Sequence, residues 1–293
     1  MVELGKVGLW TGALDALDVS AARDAVAELD AQGWGALWFG EAYGREALTA
    51  AQLYLSAAPR IAVATGIASI YARDAMATAG GAKTLQAAYP DRFVLGLGVS
   101  HAPLVERMRG HEYGKPVAAM RSYLDAMDAA PYAVAGDVPA PPRVLAALGP
   151  KMLELARERA AGAHPYLVTP EHTATARAVL GDGPLLAVEQ AVVLSDDIDV
   201  WRERAHWHLE IYTGLPNYRA SWKRQGVGED EDVVRGGSER LKTAMVARGL
   251  DDAASRVRAH LDAGAGHVCL QVLGANAFDV PGDDWPRLAE ALL

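Results

Sequence analysis

The stretch RIAVATGIASIYARDAMATAGGAKTLQAAYPDRFVLGLG, residues 60–98, holds one complete βαβ passage. Its first part, Arg60 to Ile67 (RIAVATGI), is a short continuous apolar run of the kind that forms a strand buried on both faces. The Ala-rich sequence from Asp74 to Ala88 reads as a helix. Phe93 to Gly98 (FVLGLG) is again a strand. Two strands joined by a helix of this length pair in parallel, so the question becomes how often the unit recurs.

Towards the N-terminus, KVGLW (Lys6 to Trp10) reads as a first strand and Val19 to Gln32 as a helix. Ala22, Val26 and Leu29 share one helix face there, and Gly33 is the stop. Ala36 to Glu41 (ALWFGE) is a second strand, followed by an Ala/Leu helix that ends before Pro59. Beyond the central passage come a helix from Met120 to Ala129, a Pro-rich loop from Pro131 to Pro142, a fifth strand from Val144 to Leu148 and its helix from Pro150 to Ala161. His164 to Val168 reads as a sixth strand, with Thr169 as N-cap and Pro170 opening the next helix. Leu185 to Leu194 is the seventh strand. The segment 197–245 is too long for one crossover and too helical for a loop, so a helical insertion is expected. Asp251 is read as the cap of a helix to Leu261, and His267 to Leu273 closes the set as the eighth strand. The expected fold is α/β: a (β/α)8 TIM barrel with a helical insertion after strand seven, one domain over residues 1–293.

Composition agrees with that reading and narrows the partners. Of 293 residues, 51% are hydrophobic and 22% charged, enough apolar chain for a large core. Lys and Arg number 28 against 37 Asp and Glu, a formal charge of −9, which disfavours nucleic acid and anionic membranes. The single cysteine, Cys269, excludes an internal disulfide and a cysteine zinc site. No apolar run is long enough to span a bilayer, and Glu3 and Gly5 interrupt what a signal peptide would need, so a cytoplasmic protein is expected.

In a barrel of this type the chemistry sits where strands end. Those positions are Trp10 and Thr11, Glu41, Thr65 to Ile67, Gly98 to His101, Gly149, Pro165 and Tyr166, and Gln271 to Gly274. Only Glu41 and His101 are placed to ligate a metal, so none is expected. The string LGLGVSH fails as a dinucleotide fingerprint, because His101 stands where the third glycine belongs. Gly149-Pro150-Lys151-Met152 is a better anion site: Gly149 brings no side-chain acceptor to the helix start and Lys151 adds charge, although a water-solvated helix start has the same sequence. Glu41 ends an apolar strand, where a partly dry cleft raises a carboxyl pKa and suits acid/base work; a salt bridge to Arg45 or Arg73 is the competing reading. His206 and Glu210 share a helix face without further ligands, and Trp201, Trp207, Tyr212 and Trp222 read as core or subunit contact. Ser238, after Gly236 and Gly237, reads as an ordinary N-cap.

The strings LWFGE (37–41), IAVATGIASIYARDAMATAGGAKTL (61–85), PDRFVLGLGVSH (90–101) and LAALGPKMLELARERAAGAHPYLVTPEH (145–172) together resemble the luciferase-like monooxygenase superfamily, in its actinobacterial branch that uses the deazaflavin coenzyme F420. The resemblance implies a rim that holds a flavin or deazaflavin and a non-proline cis peptide at Gly66-Ile67, within Thr65 to Ser69, behind the ring. It places the ribityl and phosphate part at Gly98-Val99-Ser100 and at Gly149, Pro150, Lys151 and Met152. Trp10, Glu41, Thr65, Gly66, Ile67, Ser69 and Pro165 complete the implied cofactor contacts, and Tyr43, Tyr71 and Tyr166 the substrate pocket. The chain departs from many relatives at Glu41-Ala42, where they carry a histidine near the ring; Glu41, His101 or Tyr43 then substitutes, or hydride transfer needs no such group. The implied function is an F420-dependent oxidoreductase passing a hydride between the deazaflavin and a small organic substrate, with Glu41 and His101 catalytic and the chain a homodimer. An FMN-dependent monooxygenase of the same fold and a non-catalytic deazaflavin- or flavin-binding protein are the alternatives. At a net charge of −9, an anionic coenzyme has to be held locally, by oriented amides near Gly149.

Overall fold

A computed structural model of the chain describes residues 2–276 and 279–293. Eight parallel strands close on themselves. They are β1 (Val7–Trp10), β2 (Ala36–Phe39), β3 (Ala62–Thr65) with its continuation β4 (Ala68–Ser69), β5 (Phe93–Gly98), β6 (Arg143–Leu145), β7 (Gly162–Ala163), β8 (Leu185–Val193) and, after the short β9 (Val246–Arg248) beside β8, β10 (His267–Val272). β10 pairs with both β1 and β8, which closes the barrel. The outer helices are α1 (Val19–Gln32), α2 (Ala47–Leu55), α3 (Ala75–Ala88), α4 (Pro116–Asp128), α5 (Pro150–Arg159) and α6 (Pro170–Leu180), then α10 (Gly249–Asp262) and α11 (Asp284–Leu292). Between β8 and β9 run three helices, α7 (Ile198–Thr213), α8 (Pro216–Arg224) and α9 (Glu239–Met245).

Strand alternation divides the apolar residues into two layers. Leu9, Leu37, Val63, Leu95, Leu145, Val188 and Leu270 point outward into the layer under the helices. Ala36, Trp38, Ala62, Ala64, Val94, Val144, Ala187 and Cys269 fill the barrel interior. The interior is small-residue sequence wrapped round one indole. Trp38 lies flat on the His164 ring at 4.5 Å and donates its Nε1 hydrogen to His267 Nε2 at 3.0 Å. His267 Nδ1 stands 2.9 Å from the Gly5 carbonyl, which only accepts, so the proton is on Nδ1 and Nε2 is the acceptor for Trp38. Gly8 leaves room for that ring, since a Cβ there would come within 2.6 Å of it.

Local signals explain most helix ends. Asp18, Asp74 and Thr169 accept the amides of Ala21, Ala77 and His172, and Gly33 closes α1 in the left-handed region at φ 94°. Ser238 caps α9 through the Leu241 amide. Four expectations need correction. α4 begins at Pro116 rather than Met120, because Pro fits the first turn. α10 starts at Gly249, ahead of Asp251, and it is Asp252 whose carboxylate takes the Arg248 amide. The third strand does not run straight to Ile67: a cis peptide at Gly66-Ile67 separates β3 from β4. The sixth strand lies at Gly162–Ala163 instead of His164 to Val168, for Pro165 has no amide to donate and Leu167 turns into the left-handed region at φ 52°.

Candidate active site

The last inward-facing residues of the strands form the floor of the barrel mouth. Trp10, ending β1, donates its indole hydrogen to the Gly66 carbonyl at 2.9 Å. A Cβ on Gly66 would stand 2.7 Å from Trp10 Nε1 and 3.0 Å from His164 Nε2, so only glycine allows the backbone so close to both rings. His164 Nδ1 lies 3.0 Å from the Ala187 carbonyl and therefore carries the proton. Its Nε2 is left as a buried acceptor without a partner. Burial pushes the His164 pKa down to about 4, so the ring is neutral near pH 7.

Above this floor sits an aromatic cluster drawn from the loop after β7 and from the helices that follow β8. Tyr166 donates to Gln271 Oε1 at 2.5 Å and accepts from the Tyr212 hydroxyl at 3.4 Å, with His208 Nε2 3.5 Å away. Its ring lies 5.5 Å from Trp10, and Tyr218 bridges from Tyr212, at 4.8 Å, to His101, at 5.8 Å. Burial raises the phenols of Tyr166 and Tyr218 and brings Tyr212 to about 12; it lowers His208 to about 4 and also lowers His101. Glu189, inward on β8 and 1% exposed, accepts the Leu167 amide through Oε2 and has no partner at Oε1. Burial raises its pKa to about 8, only partly offset by that amide. Near pH 7 the tyrosines and Glu189 are protonated and the histidines neutral, so the mouth is polar but carries no net charge.

At the rim stands the open helix N-terminus expected to take an anion. Gly149 is the N-cap of α5 without a side-chain acceptor, and Pro150 follows in the first turn. The Met152 amide folds back to the Gly149 carbonyl at 3.1 Å, which leaves the Lys151 amide as the free donor. Arg224 of α8 reaches across to the Leu148 carbonyl at 2.9 Å, and its guanidinium lies 3.7 Å from where a Gly149 Cβ would be. On the β5 side, Ser100 adopts φ 55° and its carbonyl accepts from Tyr113, which packs on Tyr71.

A profile of the luciferase-like monooxygenase family matches residues 5–264. The chain belongs to this family. A Mycobacterium tuberculosis protein named for coenzyme F420-dependent oxidoreductase activity is 32% identical over 120 residues, 41% of the present chain. That match spans only about a third of the relative's own length (35%). Among solved structures, an F420-dependent secondary alcohol dehydrogenase in complex with an F420-acetone adduct superposes with a TM-score of 0.76 at 13% identity, covering 99% of this chain and 98% of that one. The coenzyme F420-dependent tetrahydromethanopterin reductase of Methanopyrus kandleri does so at 0.72 and 16%, covering 98% of each. At these identities the likeness is one of fold.

Within this luciferase-like barrel, several residues expected at the ligand have their polar atoms committed elsewhere. Glu41 accepts Arg73 and the Ala47 amide, at 3.1 Å, on one oxygen and the Ser69 amide, at 2.8 Å, on the other. Its own amide donates to the Ile67 carbonyl at 3.0 Å, so it clamps the cis-peptide corner from behind. The salt-bridge reading with Arg73 is therefore the geometry present; Arg45 pairs with Asp15. Thr65 exchanges both hydrogen bonds with the Gly96 backbone, and the Ser69 hydroxyl accepts the Tyr71 amide. Both side chains are fully buried. Tyr43, expected in the substrate pocket, is 72% exposed. Met152 buries its side chain in the core, leaving only its backbone near the anion end. Trp10, Gly66, His101 and Tyr166 do come together; Ile67, Gly98 and Val99 line the adjoining corner, where a Gly98 Cβ would strike Ile67 at 2.5 Å.

Sequence reasoning missed His164, Glu189, His208, Tyr218 and Arg224 as site residues, while Gln271 stands where the strand-end reading put it. Glu189 had a signal, a lone acid at an inward position of LLAVEQAVV. Tyr212 and Tyr218 had none, since only the return of α7 and α8 over the mouth turns them from helix packing into pocket wall. Among the described residues no group of three or more His, Cys, Asp or Glu converges as a metal site, and no helix is long and apolar enough to cross a membrane.

Proposed function

We propose that this luciferase-like protein is a coenzyme F420-dependent oxidoreductase acting on a small organic substrate, folded as one domain and assembled as a homodimer. The observation that carries the reading is the unpartnered His164 Nε2 beside Gly66, at the floor of an uncharged aromatic mouth that opens towards a positive helix end. That combination fits a planar, neutral heteroaromatic ring with an anionic tail. When bound, the deazaflavin supplies a hydride at C5. The protein supplies place and orientation. Trp10 and Gly66, with His164 packed beneath them, set the plane behind the ring, and the Lys151 amide and Arg224 hold the phosphate end. Glu41 acts as a positioning residue for the corner rather than as an acid/base. Tyr166, with Tyr212 and His208 behind it, is the group that delivers or takes a proton at the substrate oxygen. The 32% identity to the F420-named mycobacterial protein supports this reading.

The test is turnover. Reduced F420 should be oxidised when a panel of small carbonyl compounds is added, and oxygen uptake with reduced FMN should stay at background. Oxygen uptake with FMN assigns the monooxygenase reading instead. Tight F420 binding without any accepted substrate assigns the carrier.

A further inference from the structure

On the Glu41 side of the cis-peptide corner, a cavity of about 310 Å³ opens between the loop after β2 and the π-helical turn Pro103–Met108. Its walls include Ala42, Tyr43, Leu104, Met108 and Arg109. The side chains of Tyr43 and Met108 stand 72% and 62% exposed at its lip, which gives the cavity an apolar entrance. It adjoins the cis-peptide corner, because Glu41 in its wall holds the Ile67 carbonyl and the Ser69 amide.

Arg109 is a cation of this cavity with no carboxylate against it among the described residues. Its NH2 group donates to the Ala42 carbonyl at 2.9 Å, its Nε is buried without a partner, and it forms no ion pair among the described residues. The other charges of the wall are held in ion pairs and by backbone amides. Arg45 is tied to Asp15 and to the carbonyls of Leu14 and Leu17. Glu41 and Glu46 share Arg73 and accept the amides of Ala47, Leu48, Thr49 and Ser69. A buried guanidinium N–H with no acceptor is rare in a finished structure and marks where an acceptor belongs. A planar cation with an N–H fork and no ion-pair partner matches a carboxylate, which brings two coplanar oxygens; Glu41 and Glu46, two acids on one arginine in the same wall, disfavour a dianion.

We infer that Arg109 binds the carboxylate of the substrate, and that the substrate is a small organic acid whose apolar body lies against Leu104, Met108 and Tyr43. The word substrate rests on the oxidoreductase reading above. The binding does not, so it is measured on the protein without coenzyme. Calorimetric titration with benzoate and hexanoate, each against its amide, tests it. Wild type should bind at least one acid tenfold or more tightly than its amide, and Arg109→Gln should erase that preference while leaving the melting temperature within a few degrees. Arg109→Lys, which keeps the charge but loses the fork, should retain part of the preference and serves if the Gln variant does not fold. Equal affinity for acid and amide in wild type, or an undiminished preference in the Gln variant, overturns the assignment. Coenzyme titration of the same samples reports separately on the oxidoreductase reading.

Discussion

Glu41 shows how much a single side chain's meaning depends on its partners. A carboxylate at the end of an apolar strand invites an acid/base role, yet here both oxygens are bonded to Arg73 and to the amides of Ala47 and Ser69. Replacing it by Gln removes one charge of a buried pair and should cost about 3 kcal/mol of stability, read as a lower urea midpoint at unchanged slope. Glu189 makes the opposite case. Its pKa, raised to about 8, exceeds the unfolded value, so the stabilisation it gives as a neutral acid is lost as pH rises through about 8. His164, His172, His208, His260 and His267 are each lowered to about 4 by burial, so their contribution is present above the unfolded value near 6.5 and is lost as pH falls through about 4. Five groups outweigh one on the acid side, and only Glu189 acts from about pH 6.5 to 8. Stability should therefore peak near pH 6.5 and decline above it by up to about 1.4 kcal/mol per pH unit. Urea midpoints across that range should show the decline in wild type and its absence in Glu189→Gln.

At the scale of elements, the corner between β3 and β4 is held from two sides, by Glu41 and by the Thr65 to Gly96 exchange. A Cβ on Gly96 would lie 1.9 Å from the Thr65 carbonyl oxygen. Gly96→Ala should thus push β3 from β5 and cost about 3 kcal/mol, measured by denaturant unfolding. At the start of α5, the oriented donors are the Lys151 amide and the Arg224 guanidinium rather than the exposed Lys151 ammonium. Arg224→Ala should weaken F420 binding about tenfold, while Lys151→Ala should weaken it by less than about fivefold, both by fluorescence titration. Element order and most helix starts were legible in the sequence, because caps such as Thr169 and Ser238 act on amides within three residues. β7 was not, because its end is set by Glu189, which takes the Leu167 amide 22 positions earlier in the chain. Likewise Glu41 to Arg73 spans 32 residues and Tyr166 to Gln271 spans 105, distances over which spacing carries no information about contact.

The whole molecule is a closed barrel whose interior narrows to small residues round Trp38 and widens at one end into an uncharged aromatic mouth. A net charge of −9 gives no long-range attraction for an anion, so in the proposed reading the coenzyme is held by the few donors gathered at the α5 end and the flat floor over Gly66. Solved structures of F420-dependent and FMN-bound proteins share this barrel fold, and the decision between the two ligands is local. Fluorescence titration of the purified protein with coenzyme F420 and, side by side, with FMN measures that decision. The account predicts saturable F420 binding at least tenfold tighter than FMN, weakened in Arg224→Ala; FMN binding as tight as F420 or tighter, or no F420 binding at all, would contradict it.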